Sequence, residues 1–336
     1  MCALLTSLGA TAEAGRARPL HHQSAAAAAA TDASATPTTV PSDASSIGGY
    51  NILIADRGNN RIILVSPEKK ILWEYDYEGM PMGAAADDAF FTDGGKTIIT
   101  SLEHEQIIQL IDVATKKVTW EYGVQGKSGS KPGMLYYPDD AYKLPSGNII
   151  VADIRNCRVL EIAPDKSIVR QAGVTGRCAG KWPVLQGPNG DTPLPNGHIM
   201  ISEIIGHSIT EIDESWKPVV TVRLPFAYPS DPQPSKSGNI IIAAYERPGR
   251  IIEVTREGKI LWDYGPKSGE GMLNRPSLAF ELPNGNIMTN DDMNHRVLVI
   301  DRNTKQIVWQ YGQTGRPGKA DGFLSIPDGM DIIKAN

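Results

Sequence analysis

One pattern returns along this chain at a nearly constant interval. Apolar runs opening on Asn51, Lys96, Asn148, His198, Asn239 and Asn286 are each followed by a polar loop, a second apolar run, a turn and a third run. The five steps between these starts average 47 residues. The runs are short, rich in Ile and Val, and bounded by Gly, Pro, Asn and Asp, as strands joined by tight turns are. A repeat of this length is one supersecondary unit that cannot bury its apolar faces alone, so the copies must pack side by side.

The complete unit reads P-D-x-A, a turn such as "LPSGN", a strand ("IIVAD"), a loop ("IRNCR"), a strand ("VLEI"), a turn ("APDKS") and an outer strand. The first copy, residues 51–76, lacks the opening strand, whereas the chain ends in an extra one, "IPDGMDII", that matches "YPDDAYKL" of the third copy. The expectation is an all-β fold: a six-bladed β-propeller of four-stranded blades over residues 50–336. It is closed by the C-terminal strand joining the first blade, which removes the open seam of the ring.

Two motif sets carry a family resemblance over essentially all of the chain after residue 49. "GMLYYP", "GMLNRP" and "GFLSIP" fit G-x-[FL]-x-x-P, and "DRGNNR", "DIRNCR" and "DDMNHR" fit D-x-x-N-x-R. In both respects the chain resembles NHL-repeat propellers. Its outer strands also carry W-x-Y ("WEYD", "WEYG", "WDYG", "WQYG") and look like the tryptophan-docking repeats of quinoproteins. Quinone-dependent dehydrogenases have eight blades and adjacent cysteines, neither of which is visible here, so no PQQ is expected. Trp73, Trp120, Trp262 and Trp309 are read as packing between blades, and Arg61, Arg158 and Arg296 as repeated loop staples.

Residues 1–49 differ in kind. A short apolar stretch ending in an A-x-A-like site, then an Ala/Ser/Thr/Pro tract, reads as a signal-like segment and a disordered linker, with a transit peptide as the rival reading. The stretch is too short to span a bilayer, and no later segment reads as a membrane span. A secreted or periplasmic monomer is expected. With 33 Lys and Arg against 38 Asp and Glu, and no basic run interleaved with aromatics, nucleic acid is set aside. Export would leave Cys157 and Cys178 as an even pair, one in a loop of the third blade and one in the connection leaving it, placed to form a disulfide, with two free thiols as the alternative.

The residue entering each inner strand carries oxygen in all six blades: Asp328, Asp87, Asp139, Asn189, Ser230 and Ser277. Neighbouring carboxylates held near one axis repel unless a cation or proton intervenes, and oxygen-only ligands suit Ca²⁺ more than Zn²⁺. Asp87, Asp139, Asn189 and Asp328 are therefore candidate metal ligands, in a place comparable to the calcium of six-bladed lactonases; strand caps with water are the alternative. His104, His207 and His295 fall in equivalent loops of blades 2, 4 and 6. The NHL-type lyase that cleaves peptidyl-hydroxyglycine uses a three-histidine zinc ion, but its "PH" motif is "PD", "PN" or "PS" here.

Three functions remain. One is an exported propeller that binds a protein, peptide, glycan or small-molecule ligand through its top-face loops, with Trp182, Leu185 and His104 as candidate contacts. Another is a metal-assisted hydrolase or lyase at the tunnel mouth, with Arg155, Glu203, His207 or His295 as orienting or acid-base groups. The third is arylsulfotransferase-like sulfotransfer, from a likeness of "NDDMNHRVLVIDRNTKQIVWQYG", with His207 or His295 carrying the group. A propeller fold hosts all three.

Overall fold

The computed structural model describes residues 43–335. Among them, six four-stranded antiparallel sheets form the blades of a β-propeller. Blade 1 holds β1 (Tyr50–Asp56), β2 (Arg61–Val65) and β3 (Ile71–Asp76). Blade 2 is β4 (Ala89–Thr92), β5 (Thr97–Leu102), β6 (Ile107–Asp112) and β7 (Lys117–Gly123). Blade 3 is β8 (Pro138–Lys143), β9 (Ile149–Asp153), β10 (Arg158–Ile162) and β11 (Ile168–Gly173). Blade 4 is β12 (Pro188–Pro193), β13 (Ile199–Glu203), β14 (Ser208–Ile212) and β15 (Pro218–Arg223). Blade 5 is β16 (Pro229–Pro234), β17 (Ile240–Ala244), β18 (Arg250–Val254) and β19 (Ile260–Tyr264). Blade 6 is β20 (Ala279–Glu281), β21 (Ile287–Asp291), β22 (Arg296–Ile300) and β23 (Ile307–Gly312). The last strand, β24 (Pro327–Lys334), pairs with β1 in the order β24-β1-β2-β3, so the C-terminus completes blade 1 as the repeat arithmetic predicts.

The two middle strands of each blade are apolar on both faces because each blade is covered by a blade on either side. β9 and β22 have no exposed residue, and Ile52, Ile54, Ile63, Val151, Leu160, Val297 and Val299 join one continuous core. Tryptophans fasten blade to blade. The indoles of Trp73, Trp120, Trp262 and Trp309 donate to the carbonyls of Val113, Pro164, Arg302 and Pro67, each in the turn before the outer strand of the next blade, at 2.8–2.9 Å. Each indole also stacks on the tyrosine two residues on. The glycine ending several outer strands is required by space and conformation: Gly123 and Gly312 have positive φ, and a Cβ on either would overlap the carbonyl oxygen of Gln106 or His295.

The folded body begins earlier than expected. A 3-10 turn at Ala44–Ile47 precedes β1, Ile47 is fully buried, and Asn284 and Asn286 both donate to the carbonyl of Ser46. Ile47, in the segment expected as linker, thus puts its apolar side chain into the core that includes blade 6. The rest of the signal-like segment and linker lies outside the described residues. Among the described residues no helix is long and apolar enough to cross a membrane.

Candidate functional site

The loops between the second and third strands of each blade, and the connections from one blade to the next, emerge on the same face. In blades 1, 3 and 6 an Asp–Asn–Arg set staples them. Asp153 accepts from Arg158 Nε at 2.7 Å, from Asn156 at 2.8 Å and from the Tyr136 amide at 2.7 Å, while Arg158 reaches the carbonyls of Ser130 and Met134. Asp56 with Arg61, and Asp291 with Arg296, repeat the arrangement at 2.7 Å. These arginines are structural, as their recurrence predicts.

Inside that ring of staples lies a second population of acids. The inner strands β8, β12, β16 and β24 each carry an extra residue near their start relative to the neighbouring strand: between Pro138 and Ala141, Pro188 and Asp191, Ser230 and Gln233, and Pro327 and Met330. A regular strand sends successive side chains to opposite faces, and a bulge breaks that alternation. The bulged segments carry Asp139, Asp140 and Asp231, while Asp87 and Asp88 immediately precede the regularly paired β4. Ligand oxygens of Asp87, Asp88 and Asp139 lie within 4.8 Å of one another, as do those of Asp88, Asp140 and Asp231.

Arg57, which opens the 3-10 turn after β1, supplies a positive charge. Its guanidinium bonds Asp328 at 2.8 Å and Glu103 at 3.0 Å and pairs with Asp87, and its Nη2 meets His104 Nδ1 at 2.9 Å. Burial works against this charge, but Asp87, Glu103 and Asp328 outweigh it and hold the Arg57 pKa well above its ordinary value. The expected need for a cation between Asp87 and Asp328 is thus met by a resident arginine.

No such partner reaches the deeper acids. Asp140 and Asp191 are fully buried, Asp88 and Asp231 nearly so, and at least one carboxylate oxygen of each has no hydrogen-bond partner within the protein. Burial first, and neighbouring carboxylates second, push Asp88, Asp139, Asp140 and Asp231 well above the usual carboxylate range. Burial alone does so for Asp191. Around the mouth stand Tyr137, Tyr228 and Tyr245. Arg155 sits 4.2 Å from the Tyr137 ring centre and Arg275 sits 5.8 Å from that of Tyr245. Burial and the nearby carboxylates raise the pKa of Tyr228 and Tyr245, which stay neutral phenols at physiological pH.

Of the metal ligands expected from sequence, Asp87 and Asp139 come together and Asp328 joins them through Arg57. Asn189 bonds to neighbouring strands: its amide donates to Ser230 Oγ at 3.1 Å and its carbonyl accepts from Ser202 at 2.9 Å. Leu185 is buried between blades 3 and 4 with Ile150, Val159 and Ile201, because the chain turns back at Lys181–Val184; Trp182 remains partly exposed. Leu185 is therefore not a surface contact.

Two of the acid-base candidates are engaged in loop contacts. Glu203 accepts from the Gln186 amide at 2.7 Å and the Thr210 hydroxyl at 2.6 Å, which makes it the loop staple of blade 4. His295 Nδ1 accepts from the Ile326 amide at 3.1 Å, and burial lowers its pKa. His207 is exposed on its turn. Among the described residues, no histidine joins a metal-sized cluster. Cys157 and Cys178 are joined as a disulfide, with Cα atoms 5.3 Å apart, tying the loop of blade 3 to the connection that leaves it.

Sequence reasoning passed over Arg57, Glu103 and Asp292, which hold one position after the second strand of blades 1, 2 and 6, and the second acids Asp88, Asp140 and Asp231. The readable signal was "DD" in "ADDA" and "PDDA" at matching places of two repeats.

No protein-family model matches the chain, and no curated protein matches it. Among solved structures it is similar to a protein of unknown function from Bacteroides caccae, at 17% identity, covering 85% of this chain and 99% of that one, with a TM-score of 0.63. It is similar to a chain of a nidogen/laminin complex at 12% identity, covering 85% and 99%, with a TM-score of 0.61. A catalytically inactive virginiamycin B lyase from Staphylococcus aureus, solved with quinupristin, matches at 16% identity over 77% and 83%, with a TM-score of 0.53. At such identities the likeness is one of fold: these chains share the β-propeller architecture.

Proposed function

We propose that this is an exported binding propeller whose top mouth receives a cationic group of a peptide or small-molecule ligand. The observation that carries the reading is the concentration of Asp87, Glu103, Asp139, Asp292 and Asp328 at the mouth around one arginine, Arg57, beneath a rim of tyrosines. A low-dielectric mouth in which carboxylates outnumber the one guanidinium focuses the field on an incoming cation, and tyrosine faces add cation–π attraction. Export is supported by the Cys157–Cys178 disulfide.

Calorimetric titration with short lysine peptides tests the binding step, with Nε-acetylated peptides as the neutral comparison. Binding by the amine, its loss on acetylation and its weakening in Glu103→Gln are expected. Equal binding of the acetylated peptides, or none by either, would overturn the reading. Alkylation of the unreduced protein should label neither Cys157 nor Cys178.

A metal-assisted hydrolase or lyase is the second reading, favoured by the approach of Asp87, Asp88 and Asp139 at the same mouth. It requires turnover that a chelator abolishes.

A further inference from the structure

We propose that Asp88, Asp140 and Asp231 form a site for one hard divalent cation of the calcium class, one residue deeper along the inner strands than the mouth described above. The site goes beyond the binding reading and does not depend on it. Each of these residues carries a buried carboxylate oxygen without a partner in the protein. One oxygen from each lies within 4.8 Å of the others. Ca²⁺ binds oxygen at about 2.3–2.6 Å, so two ligands on opposite sides of the ion stand roughly 4.6–5.2 Å apart, which this spacing accommodates.

The backbone is shaped to bring these acids together. The neighbouring inner strands carry glycine at the matching position: a Cβ on Gly329 would collide with Asp88, and one on Gly190 would stand 3.0 Å from the Asp231 Cα and 2.8 Å from the Pro232 ring. Asp191, beside Gly190 and outside the three-residue set, is a further buried carboxylate with neither oxygen hydrogen-bonded in the protein. Arg57 does not serve this cluster, because its donors are taken by Asp87, Glu103, Asp328 and His104.

The donor chemistry selects the class of ion. Only carboxylates form the set, with no thiolate or imidazole, which disfavours Zn²⁺ and copper and favours Ca²⁺, Mg²⁺ or Mn²⁺. The companion set of Asp87, Asp88 and Asp139 is the weaker candidate, since Asp87 already faces Arg57.

The experiment uses the full chain, stripped with chelator and titrated with CaCl2, MgCl2 and ZnCl2 by calorimetry, with thermal unfolding followed in parallel. One equivalent of Ca²⁺ is expected, with a rise in melting temperature that chelator reverses. Asp140→Asn and Asp231→Asn are each expected to weaken Ca²⁺ binding by more than about tenfold, since even partners of a ligand are worth about 10–100-fold in affinity. Asp263→Asn, a surface acid of blade 5 paired with Arg250, is expected to leave it unchanged. Should either cluster variant fail to fold, the response of the stripped wild-type chain decides alone. Absence of any divalent-ion binding or stabilisation there, or equal binding in folded cluster variants, would overturn the proposal. Lysine-peptide binding by the stripped protein would persist in that case, so the two readings fail separately.

Discussion

Two sets of buried aspartates share one face of this propeller and differ in how their charge is met. Asp56, Asp153 and Asp291 are each locked by an arginine, an asparagine and a backbone amide. Asp88, Asp140 and Asp231 are buried as well, yet each has an oxygen without a hydrogen-bond partner in the protein. The first set recurs with its partners at a fixed spacing in the sequence. The second recurs without them. A buried acid that brings its own counter-charge is part of the architecture, whereas one that does not must borrow a charge or a proton from outside.

Breaking the first set should have the largest effect. Asp291→Ala leaves the buried Arg296 guanidinium without its carboxylate and is expected to cost about 3–5 kcal/mol in urea unfolding. A cost below that of an ordinary surface change would show that the staple is dispensable. Removing the mouth's own cation comes next: Arg57→Gln strands Asp87, Glu103 and Asp328, and is expected to lose about 1–3 kcal/mol in urea unfolding at neutral pH.

The second set predicts the opposite sign. In metal-free protein Asp140→Asn removes a buried, repelled carboxylate. Stability at pH 8 should rise, each unit of pKa elevation relieved being worth about 1.4 kcal/mol. A loss comparable to that of Asp291→Ala would erase the distinction between the sets.

Asp331 sharpens the comparison from a third side. Its carboxylate accepts from the Phe91 and Ile332 amides at 2.7 Å, joining β24 to blade 2, but has no cation; burial raises its pKa to about 6. An acid raised in the folded state contributes stability that is complete below its unfolded value near 4 and is lost as pH rises through about 6. Carboxyl carbon NMR should show a midpoint near 6 at Asp331, and the stability profile between pH 4 and 7 should flatten in Asp331→Asn.

The fold was legible because everything that builds it is repeated: the 47-residue period, the staples, the tryptophans and the displaced last strand. The site was legible only in part, for a matching reason. Asp87, Asp139 and Asp328 stand at a repeated position and were visible, while Arg57 has Glu103, Ile154, Ile204 and Asp292 as its counterparts and gives no periodic signal. Asp140 and Asp231 were hidden by strand alternation, which assigns a residue beside an inward one to the opposite face; the bulges that overturn this cannot be read from one sequence. Leu185 was misplaced because loop composition does not reveal which apolar side chain the turn folds inward.

The account stands most directly on what fills the space between Asp88, Asp140 and Asp231. A crystal of the protein grown with MnCl2 and measured for anomalous scattering should show one peak bounded by those three carboxylates. No peak there, or manganese bound only at exposed acids such as Asp263, would contradict it.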